Sequence, residues 1–160
     1  MSDFAPGRKL RIYADTSVVG GCFDPEFQEA SRKLFDLFEM GVHLLVLSEL
    51  TTTELKNAPP LVSGVVTAVP AEHKVVLQPP AETERLAGLY LAAGVVPKHS
   101  WADAQHIAIA TLSDVDVMVS WNFKHIVNLR RIRGYNAVNA GLGYQELEIR
   151  TPREIVYGEQ

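Results

Sequence analysis

A chain of 160 residues that is 47% hydrophobic and 21% charged is long enough for one domain with a buried core, which excludes a disordered chain. Its formal net charge of −4 at pH 7 excludes a protein that coats nucleic acid through bulk positive charge, because such binding comes from neutralised phosphates. The single cysteine rules out an internal disulfide, and the chain shows neither a signal-peptide pattern nor the roughly 18 uninterrupted apolar residues of a membrane span, so we expect a soluble cytoplasmic protein.

Apolar runs and apolar residues at helical spacing predict alternating strands and helices along most of the chain. In chain order, the first elements predicted are a strand over 10–14, a helix over 26–40, a strand over 43–47 and helices over 48–56 and 61–69. They are followed by a strand over 73–77, helices over 81–93 and 100–112, and strands over 115–120 and 147–150. Gly41 and Gly94 mark two helix ends. The segment between 121 and 146 is less regular, and no helix is predicted there.

The apolar strands among these do not show the two-residue alternation of a half-exposed sheet. Such strands, alternating with helices, are typical of a parallel sheet that is covered on both faces. We therefore predict a single domain over residues 1–160, a three-layer α/β/α sandwich with a mostly parallel sheet of four or five strands. In such sheets the functional crevice lies beyond the carboxyl ends of the strands, so the polar residues there are the candidates for a site.

Four polar residues fall near the carboxyl ends of the predicted strands although they lie far apart in the sequence. Asp15 follows the first strand, and Glu54 lies on the helix after the second. Asp103 is near the start of the helix over 100–112, and Asn122 follows the strand over 115–120. Three carboxylates and a carboxamide at one edge are what a hard, oxygen-preferring cation requires, so this placement favours a divalent metal site.

Each acid also has a purely structural interpretation. Asp15 could cap the segment that follows it. Thr51-x-x-Glu54 and Ser100-x-x-Asp103 match the capping-box pattern, in which an acid satisfies free backbone N–H groups at the start of a helix. The two interpretations differ in geometry, because caps serve their own helices whereas metal ligands converge on one point.

The motifs occur in a fixed order: D-T-S after the first strand, S-x-x-x-x-x-E-L after the second, a helix that opens with an acid, and V-S-W-N-F after the strand over 115–120. This order resembles the PIN domain over residues 9–155, nearly the whole chain. It is also similar to toxins of the VapC type, which have that fold. The resemblance implies that Asp15, Glu54 and Asp103 hold Mg²⁺ or Mn²⁺ and that the hydroxyl of Ser17 supports the site.

The resemblance also implies the activity and the partners: a metal-dependent endoribonuclease that acts on RNA, a homodimer, and a cognate antitoxin that covers the acidic pocket. The fourth position of the family is often Asp in a T-x-D-x-F pattern, where this sequence has Asn122, with Ser120 in the hydroxyl position. A carboxamide supplies an oxygen but no charge. The alternative is therefore a catalytically weak or inactive PIN-like module that binds RNA or protein.

Basic residues gather between 117 and 145, where the sequence has no acid. Beside a carboxylate site such a patch would hold an RNA backbone, although a solvated loop has the same composition. The residues that we expect to contact the RNA substrate are the hydroxyl residues Ser17 and Ser120 and the basic residues Lys124, His125, Arg130 and Arg131. Trp121 and Phe123 would either stack on bases or belong to the core.

Two histidines, His99 and His106, lie on or near the helix of Asp103, and we interpret both as structural or surface residues. No Cys or His pair has the spacing of a zinc site, and neither a P-loop nor a dinucleotide-binding glycine pattern occurs. The sequence therefore favours a cation held by oxygen ligands over zinc or a nucleotide cofactor.

Overall fold

The computed structural model describes residues 7–158. The strands in this range are β1 (Arg11–Ala14), β2 (Leu44–Ser48), β3 (Lys74–Leu77), β4 (Val117–Val119) and β5 (Ile149–Arg150). The helices are α1 (Thr16–Gly21), α2 (Gln28–Glu39), α3 (Glu49–Leu55), α4 (Pro60–Thr67), α5 (Thr83–Ala92), α6 (Trp101–Leu112), α7 (Leu129–Gly141) and α8 (Pro152–Tyr157). None of these helices is long and apolar enough to cross a membrane.

The five strands form one parallel sheet in the order β3-β2-β1-β4-β5. β1 is central, and its Ile12 lies opposite Leu45 on one side and Val117 on the other. The chain runs outward from β1 to β3 and then returns to place β4 on the other side of β1. The carboxyl ends of β1 and β4 therefore meet where the strand order reverses, which is the position where parallel sheets open a crevice.

Helices cover both faces of the sheet. On one face α1, α2, α4 and α8 pack against a core that includes Ile12 and Leu45. On the other face α5, α6 and α7 pack against Tyr13, Val46 and Met118. Successive strand residues point to opposite faces, and in β1, β2 and β4 both sets are mostly buried because both faces are covered. The predicted three-layer α/β/α class is confirmed, and the burial explains why the strands show no two-residue alternation.

The predicted strands and helices are present with small shifts of their ends. The two glycines predicted to end helices do so. Gly41 follows α2 with φ +75°, and Gly94 follows α5 with φ +73°. This left-handed conformation ends a helix and strains residues that have a Cβ, which is why glycine stands at both positions.

The prediction that the segment between 121 and 146 lacks a helix is wrong, because α7 lies there. Its apolar residues are interspersed with three arginines and two asparagines, and only Tyr135 and Asn139 are buried, so the apolar side of the helix is weakly marked in the sequence. Gly134 in its middle is explained by packing, since a Cβ there would lie 2.8 Å from Cγ1 of Val95. α1 and α8 are also missing from the prediction, because six residues are too few for a periodic signal.

Candidate functional site

Asp15 lies at the carboxyl end of the central strand and is only 4% exposed. Its Oδ1 accepts a hydrogen bond from Ser17 Oγ at 2.6 Å, and its Oδ2 accepts one from Ser120 Oγ at 2.6 Å. Ser17 lies on α1 and Ser120 follows β4, so the residues after both strands at the reversal hold one carboxylate. Asp15 is the N-cap residue of α1 by position, but its side chain makes no capping hydrogen bond.

The environment of Asp15 disfavours its charged form. Burial raises the pKa of this carboxyl above its ordinary value, and the opposing effects of His106, Ser120 and Ser17 do not compensate. The two serine hydroxyls that contact it are neutral donors. A cation placed against Asp15 would relieve the cost, because an opposite charge favours the ionised form of a carboxyl group.

Glu54 lies at the end of α3 and reaches toward α1 and α6. Its Oε1 accepts hydrogen bonds from the hydroxyl of Thr16 and from Nε2 of His106, the latter at 2.9 Å. Burial acts to raise the pKa of Glu54, but the hydrogen bonds from His106 and Thr16 outweigh it and lower the pKa below its ordinary value. The capping interpretation of Glu54 is wrong, because α3 begins at Glu49 and Glu54 lies at the opposite end.

Asp103 lies in the first turn of α6 and pairs with the loop that follows β4. Its Oδ2 is 3.2 Å from Nδ1 of His125, and Ser100 Oγ is 3.1 Å from the same nitrogen. Ser100 makes no side-chain capping bond, so the capping box proposed for these residues is not formed. The contact with His125 instead places Asp103 beside the start of the basic segment.

His106 also lies at this edge, and its contacts there were not predicted from the sequence. It is buried, so of the two interpretations of His106, structural or surface, the structural one holds. Its Nδ1 lies 2.7 Å from Tyr13 Oη, which in turn lies 2.9 Å from Ser48 Oγ. A signal for this placement exists in the sequence, since Asp103 and His106 are three residues apart and therefore share a face of α6.

No protein-family model and no curated protein matches this chain. The fold by itself does not fix a function, because one architecture supports many unrelated activities. Function is therefore inferred from the residues at this edge of the sheet.

Asn122 organises the loop after β4 with its side chain. Its Oδ1 accepts hydrogen bonds from the backbone N–H groups of Lys124 at 3.2 Å and His125 at 2.9 Å. Its own backbone N–H donates to Ser120 Oγ at 2.9 Å. Asn122 is thus connected to Asp15 through Ser120, while its carboxamide oxygen is engaged by the loop. An aspartate could accept the same two backbone bonds.

The four basic residues predicted to contact RNA differ in how far they are exposed. Lys124 and Arg130 are exposed. Arg131 donates from Nε to the carbonyl of Lys124 at 3.3 Å and from Nη1 to the carbonyl of Val95, and His125 is buried. Lys124 and Arg130 are therefore the better placed of the four to meet a phosphate, whereas Arg131 holds the loop against the rest of the domain.

The two aromatic residues of this loop also differ. Trp121 is 6% exposed, stacks on Phe27 with ring centroids 4.3 Å apart, and donates from Nε1 to Ser31 Oγ at 2.8 Å. It belongs to the core. Phe123 is 50% exposed at the outer side of this aromatic cluster and remains accessible to a ligand.

The donors at this edge suit Mg²⁺ or Mn²⁺ in type, because hard divalent cations prefer carboxylate oxygens. A buried carboxylate whose charge is disfavoured, as in Asp15, is also the kind of group that a cation stabilises. Across residues 7–158, however, no group of three or more His, Cys, Asp or Glu side chains is placed to hold a metal ion. Glu54 and Asp103 each contact a histidine. The site of three carboxylates stays a prediction.

Proposed function

We propose that this protein is a metal-dependent endoribonuclease of the PIN type. The observation that supports this most strongly is the placement of Asp15: a buried carboxylate at the reversal point of a parallel sheet, held through both oxygens by serines that follow β1 and β4. Glu54 lies at the end of α3, and Asp103 lies in the first turn of α6. Carboxylates and neutral hydroxyl donors at this edge support the proposal by their chemical type.

Asp15, Glu54 and Asp103 would hold Mg²⁺ or Mn²⁺. The bound cation would lower the pKa of a coordinated water and neutralise charge on the scissile phosphate. The residues of the chain have separate tasks. Ser17 and Ser120 fix the two oxygens of Asp15, and His106 with Thr16 fixes one oxygen of Glu54.

RNA would be held by the segment after β4. Lys124 and Arg130 would contact phosphates, and half-exposed Phe123 would stack on an unpaired base. Because the whole chain carries a net charge of −4, binding would depend on this local patch and would weaken with added salt. On the same resemblance we propose a cytoplasmic toxin that forms a homodimer and is held inactive by an antitoxin.

The second candidate function is a PIN-like module that binds RNA or protein without cutting. Two observations favour it. Asn122 carries no charge and uses its side-chain oxygen to hold its own loop. In the described part of the chain, residues 7–158, no group of three possible metal ligands is formed. The two candidates share the RNA-binding segment and differ in catalysis.

A cleavage assay separates the two candidates. A pool of end-labelled RNA is incubated with the protein and Mn²⁺, with EDTA in a parallel reaction, and binding is followed by gel mobility in the same samples. Asp15→Asn is tested beside Asp36→Asn, a matched change of an exposed acid on α2. We expect cleavage that requires Mn²⁺, is lost in Asp15→Asn and persists in Asp36→Asn. RNA that is bound but intact at every Mn²⁺ concentration would establish the binding module instead.

A further inference from the structure

His106 uses both nitrogens of its ring inside the protein. Nε2 is 2.9 Å from Glu54 Oε1, and Nδ1 is 2.7 Å from Tyr13 Oη. The side chain is 4% exposed. Since neither nitrogen has a lone pair left for a cation, His106 is not a metal ligand in this arrangement, and the bonds at opposite sides of the ring fix its orientation.

The order of donors along this chain of contacts is set by its two ends. The carboxylate of Glu54 can only accept, so Nε2 of His106 carries the hydrogen. A phenol keeps its proton at neutral pH and can donate it to Nδ1, the other ring nitrogen. The oxygen of Tyr13 then accepts from the hydroxyl of Ser48. Every donor meets an acceptor from β2 through β1 and α6 to α3.

The hydrogen bonds to Glu54 use only one of its two carboxylate oxygens. Thr16 and His106 both donate to Oε1, and within residues 7–158 no hydrogen bond falls on Oε2. The Glu54 side chain is 31% exposed. A glutamate at the end of a short helix has several rotamers of similar energy, so it needs such external bonds to hold one of them.

We propose that His106 is a positioning residue: it fixes Glu54 so that Oε2 faces the cation, with Tyr13 and Ser48 holding the ring from behind. This deepens the proposed function and rests on it. Partners that orient a metal ligand in this way usually contribute 10- to 100-fold to metal affinity or activity. His106 itself touches neither the cation nor the RNA.

Two substitutions separate positioning from packing. In His106→Gln, the amide nitrogen reaches the place of Nε2 and can still donate to Glu54. In His106→Asn, the amide reaches only the place of Nδ1, so the contact with Tyr13 is kept and that with Glu54 is lost. For each variant the Mn²⁺ dissociation constant is measured from the electron paramagnetic resonance signal of free Mn²⁺, the Tm in EDTA, and kcat and KM on RNA.

We expect His106→Gln to stay within about threefold of the unaltered protein in Mn²⁺ affinity and kcat, and His106→Asn to lose on the order of tenfold in both, with KM for RNA little changed. Tm should fall similarly in the two variants. A loss of affinity that follows Tm alike in both would overturn the positioning role. So would an affinity in His106→Asn equal to that of the unaltered protein.

If neither His106→Gln nor His106→Asn folds, a milder variant still tests the positioning role. Tyr13→Phe removes the oxygen that holds Nδ1 while leaving the contact with Glu54, so we expect a smaller loss of Mn²⁺ affinity, about threefold. Unchanged affinity here, with the ring ¹⁵N resonances of His106 also unchanged, would contradict the role of Tyr13 and Ser48. An unaltered protein that neither binds Mn²⁺ nor cleaves RNA would overturn the proposed function and this inference together, which distinguishes that failure from the others.

Discussion

Replacing Asp15 by asparagine is expected to abolish RNA cleavage and, in the same variant, to raise the Tm of the metal-free protein at neutral pH. Cleavage should fall by about 10³-fold, roughly 4 kcal/mol of barrier, because the carboxylate that attracts the cation is removed. Asparagine has nearly the same shape, and the hydroxyls of Ser17 and Ser120 can either donate or accept. The fold should therefore accept the change.

The gain in stability should depend on pH. In the unfolded chain Asp15 titrates near the ordinary value of about 4, whereas burial raises its pKa in the folded protein. The folded state thus holds the proton more tightly, and stability is lost as the pH rises through the folded pKa. Asp15→Asn avoids this loss. Its Tm advantage should be greatest near pH 8 and should shrink toward pH 4.

Thermal unfolding in EDTA from pH 4 to pH 8 measures this difference, and a chain of this size gains roughly 2–4 °C of Tm per kcal/mol. Asp36→Asn on the exposed side of α2 is the control and should follow the unaltered protein at every pH. Parallel Tm profiles for all three proteins would show that Asp15 carries no burial cost. A variant that still cleaves RNA would remove Asp15 from the site.

Replacing Trp121 by alanine is expected to lower the free energy of unfolding by about 3–5 kcal/mol. The indole is buried, stacks on Phe27 at an interplanar angle of 17°, and donates to the hydroxyl of Ser31. It also packs against Gly21, where a Cβ would lie 2.6 Å from Nε1. Alanine would leave a cavity beside the start of α2 and remove a buried hydrogen bond.

Urea unfolding measures the change, with Trp121→Phe as the matched control. Phenylalanine keeps an aromatic ring against Phe27 and loses the N–H, so it should cost about 1–2 kcal/mol. If alanine costs no more than phenylalanine, the stacked ring is not part of the core.

The sheet was predictable from the sequence because its central strands are short apolar runs. Strands that are buried on both faces must be apolar at every position, and those at 10–14 and 43–47 are apolar enough to be recognised. Residues that follow the carboxyl ends of neighbouring parallel strands lie close together. Asp15 and Ser120 could therefore be placed near each other from topology alone.

Other features depend on contacts that one sequence does not display. α7 is held by Tyr135, Asn139 and the close approach of Gly134 to Val95, while Ile132 and Val138 are only partly buried against the same core. His106 gains its role from Tyr13 on another element. Whether a histidine on an apolar helix faces a carboxylate depends on how the helix is rotated against the sheet, which periodicity gives only coarsely.

Asn122 illustrates a third kind of limit. Its position after β4 correctly places it beside Ser120, but a strand-end carboxamide can serve either a ligand or its own loop. The structure shows it accepting from two backbone N–H groups of the loop. The choice between these uses is made by the conformation of three residues, which composition does not determine.

Mn²⁺ binding at the strand edge is the most direct test of the central claim that these acids form a cation site. A ligand that binds only the folded protein stabilises it by about 2.7 kcal/mol at 100 times its dissociation constant. We therefore predict that the Tm of the unaltered protein rises steadily with Mn²⁺ through the millimolar range, and that Asp15→Asn and Asp103→Asn lose most of that rise. A Tm that does not change with millimolar Mn²⁺, or one that rises equally in Asp15→Asn, would contradict the claim.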